Sequence, residues 1–421
     1  MGTATHVRLT PALRRPPQPC DAPVLDARGP RAVIGATPGG DELARPIRPD
    51  AGSLFGPRGA CLLAEAGPLW VSDTGHHRLL GWARTPAGDG ATADWVIGQP
   101  DMHREGRNAK GEPGAATLNV PTGITACGAG LAVADAWNHR VLIWQSAPRS
   151  SRVPADIVLG QTDCHRVEAN GGGGVSARTL FWPYGVHWDG RRLWVADTGN
   201  RRLLMWEGLP ADHGRPADLV LGQSSFDRRD ENGGHDADRR SMRWPHAIAT
   251  WGDGLCLADA GNNRILVWDA VPSHDNQESD RVLGQRDMRA VDHNQSLYWP
   301  SAASLHMPYG VAAAGTWCVV ADTANSRLLA WESRHAASGA AARALTGQTE
   351  FNVKGDNAWL PPTRASLSWP YGISVCGGLA VVADSGNNRV LLWPLAANLH
   401  SPEPARSGLP PGGVPVGGAA P

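Results

Sequence analysis

The chain reads as an all-β protein, a six-bladed β-propeller of four-stranded antiparallel blades. Three regularities lead there. First, Asp, four residues, Arg, three residues, Trp recurs six times at a spacing of 62 or 63 residues. The copies are Asp73/Arg78/Trp82, Asp135/Arg140/Trp144, Asp197/Arg202/Trp206, Asp259/Arg264/Trp268, Asp322/Arg327/Trp331 and Asp384/Arg389/Trp393. Second, Gly-Gln pairs at Gly98-Gln99, Gly160-Gln161, Gly222-Gln223, Gly284-Gln285 and Gly347-Gln348 keep the same period. Third, each period divides into four short apolar runs separated by turn residues. A fixed period means one supersecondary unit reused, and antiparallel strands repeated around an axis keep their sheet edges short and protected.

Taken in order, residues 1–30 are rich in Pro and Arg and are expected to form a disordered tail. Arg14-Arg15 is followed by Pro-Pro-Gln-Pro-Cys with no apolar stretch, so no export signal is expected. Ala32-Val33-Ile34-Gly35 lies 63 residues before Ile97-Gly98. With six Asp…Arg units and only five Gly-Gln strands, this segment, about 32–36, should complete the last blade and close the ring. Its copy carries Ala36 in the place of Gln.

Blade three shows the whole unit. Pro183 to Trp188 is strand a, turned by Asp189-Gly190. Leu193 to Asp197 is strand b, and Thr198-Gly199-Asn200-Arg201 turns into strand c, Arg202 to Trp206. A loop with Pro and Gly leads to strand d, Leu219 to Gln223. The propeller then spans 31–394, and the Pro- and Gly-rich 395–421 is a second expected disordered tail. Asn170-Gly171-Gly172-Gly173-Gly174 lacks the strand-to-helix setting of a phosphate loop and reads as a flexible linker.

A formal net charge of −1 gives no global attraction to nucleic acid or to an anionic membrane. Only Lys110 and Lys354 are lysines among 39 basic residues, a bias that points to a GC-rich bacterial genome. Seven cysteines form no Cys-x-x-Cys pair, so reduced thiols and a cytoplasmic protein are expected. No run of about 18 apolar residues offers a membrane span.

The repeated Asp and Arg are read as structural: six symmetric copies cannot all be one active site. The carboxylate is expected to accept N–H groups of the turn that follows it and to hold the Arg. The repeated Trp should fill the wide outer part of each blade, and Met102, Cys164, Phe226, Met288 and Phe351, three residues after each Gln, should pack beside it.

Five of the copies read Asp-x-x-Asn-x-Arg, at Asp135/Asn138/Arg140, Asp197/Asn200/Arg202, Asp259/Asn262/Arg264, Asp322/Asn325/Arg327 and Asp384/Asn387/Arg389. With the Pro-x-Gly-Ile/Val opening of strand a, they make the chain similar to the NHL-repeat family over residues 31–394. Blade one departs, with His76 in the Asn position. The resemblance implies a propeller used as a binding platform or, less often, as an enzyme.

Function should lie where the copies differ. The residue after the strand-a Pro reads Arg58, Thr122, Tyr184, His246, Tyr309 and Tyr371 around the ring, taking three of only four tyrosines. Strand a lines the channel of a propeller, so these residues should sit at its mouth, flanked by Trp182, Trp244 and Trp369. In the second b–c turn, Trp137 and His139 replace a Gly and a variable residue and are candidate contacts. Long d–a connections should crowd the same face. An aromatic mouth with one Arg and one His suits a protein partner or small ligand with apolar and anionic parts. The competing reading is that the tyrosines only pack against neighbouring blades.

Similarity to lyase-type propellers implies a metal held by channel histidines, but His246 and His187 stand at different depths and are two, not three. Lactonase-like propellers hold calcium with channel carboxylates, which the strand-a starts lack. No nucleophile-elbow or His-Glu-x-x-His motif occurs. The RNA-binding NHL propellers of the tripartite-motif type present a basic face, unlike these mixed-sign loops. The expectation is therefore a monomeric, non-catalytic scaffold with no cofactor and no metal, binding neither nucleic acid nor membrane. A metal-dependent lyase or hydrolase stands as the first alternative and an RNA-binding propeller as the second.

Overall fold

The computed structural model describes residues 17–20, 22–35 and 48–399. Among them, six four-stranded antiparallel sheets form a ring in which each strand a packs on the next. In blade three the strands are Pro183–Trp188, Arg192–Asp197, Arg202–Glu207 and Leu219–Leu221. The sixth sheet runs Ala32–Gly35, Arg389–Pro394, Leu379–Asp384, Pro370–Cys376, with Val33 opposite Leu391 and Gly35 opposite Arg389. The ring is therefore closed by the N-terminal strand, as the count of Gly-Gln strands requires. No helix among the described residues is long and apolar enough to cross a membrane.

Closure involves more chain than expected. In blade three, Trp206 Nε1 donates to the Arg215 carbonyl in the c–d loop at 3.0 Å. In blade six, Trp393 Nε1 donates to the carbonyl of Asp26 at 2.8 Å, and Asp26 N–H donates to Pro394 O at 2.9 Å. Residues 22–31 thus supply, from the other end of the chain, the contacts a c–d loop supplies elsewhere. Val24 and Leu25 are buried between blades five and six, beside Leu395, Ala396 and Leu399. The tails expected at 1–30 and from 395 therefore begin too far inward, because a short apolar pair in a Pro-rich segment escapes a compositional reading. Residues 1–16, 21, 36–47 and 400–421, including Arg14, Arg15 and Ala36, lie outside the described residues.

The core sits between blades. One cluster holds Trp194, Leu203, Leu219, Met242, Ile248, Leu255 and Trp268 from the facing sides of blades three and four. Equivalent clusters fill the other five interfaces, and all six repeat Trp are buried in them. Cys61, Cys127, Cys256 and Cys318 are buried there too, as small apolar side chains.

The Asp–Arg unit fastens the loops. Asp197 Oδ2 accepts from Arg202 Nε at 2.8 Å and from Asn200 Nδ2 at 2.7 Å, while Oδ1 accepts the N–H of Phe181 at 2.7 Å. The accepted N–H thus belongs to the end of the preceding d–a connection and not to the turn after the Asp, which corrects the expectation. The turn closes on its own backbone instead, Arg201 N–H donating to Thr198 O, so it needs nothing from the carboxylate. The same Nε bond joins Arg78 to Asp73, Arg140 to Asp135, Arg264 to Asp259, Arg327 to Asp322 and Arg389 to Asp384, at 2.7–2.8 Å.

Each Arg also does more than the expected pairing, because its fork has N–H groups left over once Nε is used. Arg202 donates to the carbonyls of Phe226, Ser176 and Thr179 at 2.5, 2.9 and 2.9 Å. Arg78 reaches Met102, Asp50 and Ser53 at 2.6, 2.9 and 3.0 Å, and in its blade His76 Nδ1 takes the place of the Asn on Asp73, at 2.8 Å. Arg264 reaches Met288 and Ser241 at 2.5 and 2.8 Å. Burial raises the Asp135, Asp197 and Asp384 carboxyls despite their Arg partners. Such pairs position chain more than they stabilise it, but losing one partner strands a buried charge.

The glycine-rich stretch after blade two is a tight turn, not a flexible linker. Asn170 adopts φ 53° and is buried, exchanging amide hydrogen bonds with Asn200 at 2.8 and 3.1 Å. The same Asn–Asn pair recurs as Asn108–Asn138, Asn232–Asn262, Asn294–Asn325 and Asn357–Asn387. The Gln of each Gly-Gln also serves the loops: Gln161 Nε2 donates to the Asn138, His139 and Glu168 carbonyls.

Candidate functional site

Strand a reaches the axis with a β-bulge at the residue after Pro. Pro183 faces Asp197 and Gly185 faces Ala196, leaving Tyr184 as the extra residue; blades two, four, five and six carry the same shift. A bulge re-aims one side chain, and here it turns Tyr184, His246, Tyr309 and Tyr371 toward the channel. The following Gly is demanded by crowding. A Cβ on Gly185 would stand 1.8 Å from the His246 carbonyl oxygen, where inner strands of adjacent blades touch.

The re-aimed rings form a layer across the channel. Centroids lie 5.0 Å apart for Tyr184–His246, 4.4 Å for His246–Tyr309 and 4.5 Å for Tyr309–Tyr371, with interplanar angles of 28–30°. The Arg58 guanidinium closes the circle, 4.8 Å from the Tyr371 ring centre and 5.9 Å from that of Tyr184. Burial, with the Arg58 charge adding to it, brings His246 down to about 4, and burial lifts the Tyr309 and Tyr371 phenols. At neutral pH the layer is thus one cation among uncharged rings.

Below the layer the channel encloses about 320 Å³, lined mainly by the strand-a residues. His187 lies in it, but its Nε2 accepts the Thr250 N–H at 3.1 Å and burial lowers the ring to about 4. Among the described residues, no three His, Cys, Asp or Glu side chains converge.

Above the layer opens a funnel of about 860 Å³, within the range of small-molecule sites. Its walls come from the d–a connections and b–c turns, the loops expected on this face. Trp137, Trp182, Trp244 and Trp369 are each 40–41% exposed, far more than the buried repeat tryptophans. Trp182 and Trp369 have φ of 50° and 49°, a conformation that bulky residues adopt only when held in it.

The candidate residues do not all reach this space. Arg58, Tyr184, His246, Tyr309, Tyr371, Trp137, Trp182, Trp244 and Trp369 line the funnel. Thr122, expected at the mouth, does not: it is fully buried, and its short hydroxyl donates to the Tyr184 carbonyl at 3.0 Å. Arg58 reaches past its position to Tyr184. His139, expected as a contact, stands behind the wall, its Nδ1 accepting the Trp182 N–H at 3.1 Å and its edge on Phe181. The repeat pairs stay out of the funnel altogether. Arg78, Arg140, Arg202, Arg264, Arg327 and Arg389 are buried with their Asp partners under the loops, where their donors are spent on carbonyls. The tyrosines pack on one another and form the floor of the funnel.

Phe55, Phe181, His77, Arg107 and Arg201 complete the wall and were not singled out from the sequence. Phe55 and Phe181 share the place two before the strand-a Pro, a coincidence the repeat already displays. Each lies on a b–c turn glycine, Gly75 or Gly199, where a Cβ would meet the ring at 2.5 or 2.7 Å. A second exposed apolar group, Leu297, Tyr298, Trp359 and Leu360, lies on the d–a connections after blades four and five.

No family model matches the chain, and no curated protein does. Among solved structures it is similar to Kuenenia stuttgartiensis hydrazine synthase, at 12% identity over 82% of this chain and 96% of that chain, with a TM-score of 0.45. It is also similar to selenomethionine-substituted virginiamycin B lyase from Staphylococcus aureus, at 9% identity over 83% and 98%, with a TM-score of 0.41. Identity this low says nothing of chemistry at the funnel, and the chain stands here as a six-bladed β-propeller with an aromatic, loop-walled funnel over its channel.

Proposed function

We propose that this protein is a non-catalytic, NHL-type binding platform of the bacterial cytoplasm. The funnel face holds a small ligand or a protruding group of a protein partner. One observation carries the reading: four tryptophans stay about 40% exposed around a single cavity, two of them in left-handed backbone. Exposed tryptophan packed around one concavity is a hallmark of recognition surfaces, where large rigid rings supply contact area at little entropic cost.

The test is Trp182→Ala combined with Trp369→Ala. Both side chains line the funnel and are 41% exposed, so thermal unfolding should change little. Affinity capture and native mass spectrometry from the source cells should show a species retained by the parent protein and lost by the variant. Identical retention by both proteins would remove the funnel from consideration.

A further inference from the structure

Among the described residues, the ordinarily charged side chains that line the funnel are all of one sign. Arg58, Arg107 and Arg201 line it, and among the described residues no Asp or Glu does. None of the three is in an ion pair among the described residues, whereas Arg243 on the rim pairs with Glu231 at 3.1 Å. Arg107 lies over the Trp137 ring at 5.3 Å, so one wall already presents a cation and a ring face together. Arg58 is the decisive residue. It borders both the funnel and the channel, partly buried among uncharged rings. Ring faces of Tyr184 and Tyr371 attract the guanidinium, but neither ring carries a counter-charge. A cation withdrawn from water with no counter-charge is costly, and an arriving acid group relieves that cost with paired, charge-assisted hydrogen bonds.

We infer that the funnel is an organic-anion site: an acid group sits on Arg58 and a planar apolar body lies among the tryptophans. The inference rests on the funnel being a binding site and adds the chemical class of its ligand. A carboxylate or sulfonate on an aromatic framework fits, because the acid must reach the floor while the ring system stays between the walls. A polyanion without apolar surface would leave the tryptophans unused. A neutral aromatic would leave Arg58 without a counter-charge.

Two fluorescent probes of one ring system separate these cases: anilinonaphthalene sulfonate, an anion, and phenylnaphthylamine, its neutral counterpart. The parent protein should bind the anion about tenfold or more tightly than the neutral probe. Arg58→Gln should remove that preference while leaving the neutral probe's affinity in place, which also reports that the walls are intact. Should Arg58→Gln fail to fold, Arg107→Gln with Arg201→Gln, on the funnel wall, should weaken the anion alone by about threefold or more. The Trp359→Ala variant, on the other apolar patch, should change neither probe. Equal binding of the two probes, or equal loss of both in the arginine variants, would overturn the anion assignment while leaving a funnel that binds. Failure of both probes to bind the parent protein, or loss of binding in Trp359→Ala, would overturn the funnel itself.

Discussion

His139 Nδ1 accepts the main-chain N–H of Trp182, one blade further on, at 3.1 Å. Both residues are left-handed, with φ of 53° and 50°. The same bond joins His77 to Val120, Asn263 to Met307, Ser326 to Trp369 and Asn388 to Gly56, at 2.8–3.2 Å, and every one of these residues has positive φ. At the remaining junction the turn residue is Arg201, which has no acceptor, and Trp244 is not left-handed. The rim of the funnel is therefore held by side-chain acceptors from the blade before.

His139→Ala removes that acceptor. The stranded N–H and the strained Trp182 backbone should together cost about 1–3 kcal/mol in urea unfolding. Binding at the funnel should weaken with it. His139→Asn should restore both, since Asn263 and Asn388 already fill this role. Recovery by Asn distinguishes a hydrogen-bond acceptor from a ring that merely packs on Phe181.

Arg202→Met leaves Asp197 and three carbonyls without their donor. A buried pair broken on one side should lower stability by about 3–5 kcal/mol. Arg202→Lys keeps the charge but not the fork, and should recover only part of it. Arg140→Met, with the same partners one blade earlier, should cost the same in denaturant unfolding. A clear difference between the two would mean the repeat is not energetically equivalent.

Starting the chain at Ala32 keeps the closing strand but removes Val24, Leu25 and Asp26. Loss of two buried side chains should cost about 3–6 kcal/mol, read by calorimetry. Starting it after Gly35 also removes Ala32, Val33 and Ile34, all fully buried, and opens an edge on blade six. That protein should show no single cooperative transition. If the two truncations melt alike, the segment before Ala32 contributes nothing to closure.

The ring, its blade number and its closure were legible because periodicity is carried by many residues at once. The channel-mouth position was legible for the same reason: comparing copies placed Tyr184, Tyr309 and Tyr371 together. Thr122 was misplaced because a repeat position specifies where a Cα lies, and a short hydroxyl there bonds the neighbouring strand and stays out of the space. His139 was placed on the right turn but not behind the wall, since the bond to Trp182 joins residues far apart in sequence. The loop carbonyls held by Arg78 and Arg264 were hidden in the same way, because backbone acceptors leave no mark in the residue types around them. Val24 and Leu25 were masked by their neighbouring prolines. Arg107 and Arg201 stand in loops whose sequences differ from blade to blade, so nothing in the repeat marked them.

The buried histidines should make this protein weaker in acid. Burial holds His187 and His246 near 4, well below the ordinary 6.5. Below 6.5 the unfolded chain takes up protons that the folded chain refuses, so stability falls as pH drops toward 4. Each such histidine contributes about 1.4 kcal/mol per pH unit across that window. Asp135, Asp197 and Asp384 act in the opposite sense, because burial raises them and the folded state gains protons first. His246→Tyr isolates one histidine, and blades five and six already carry Tyr at this position. Between about pH 6.5 and 4.5 the variant should lose stability more slowly than the parent, by the slope of one proton. Parallel pH profiles in urea unfolding would show that His246 is protonated in the folded ring, and that the layer under the funnel carries more than the one charge on Arg58.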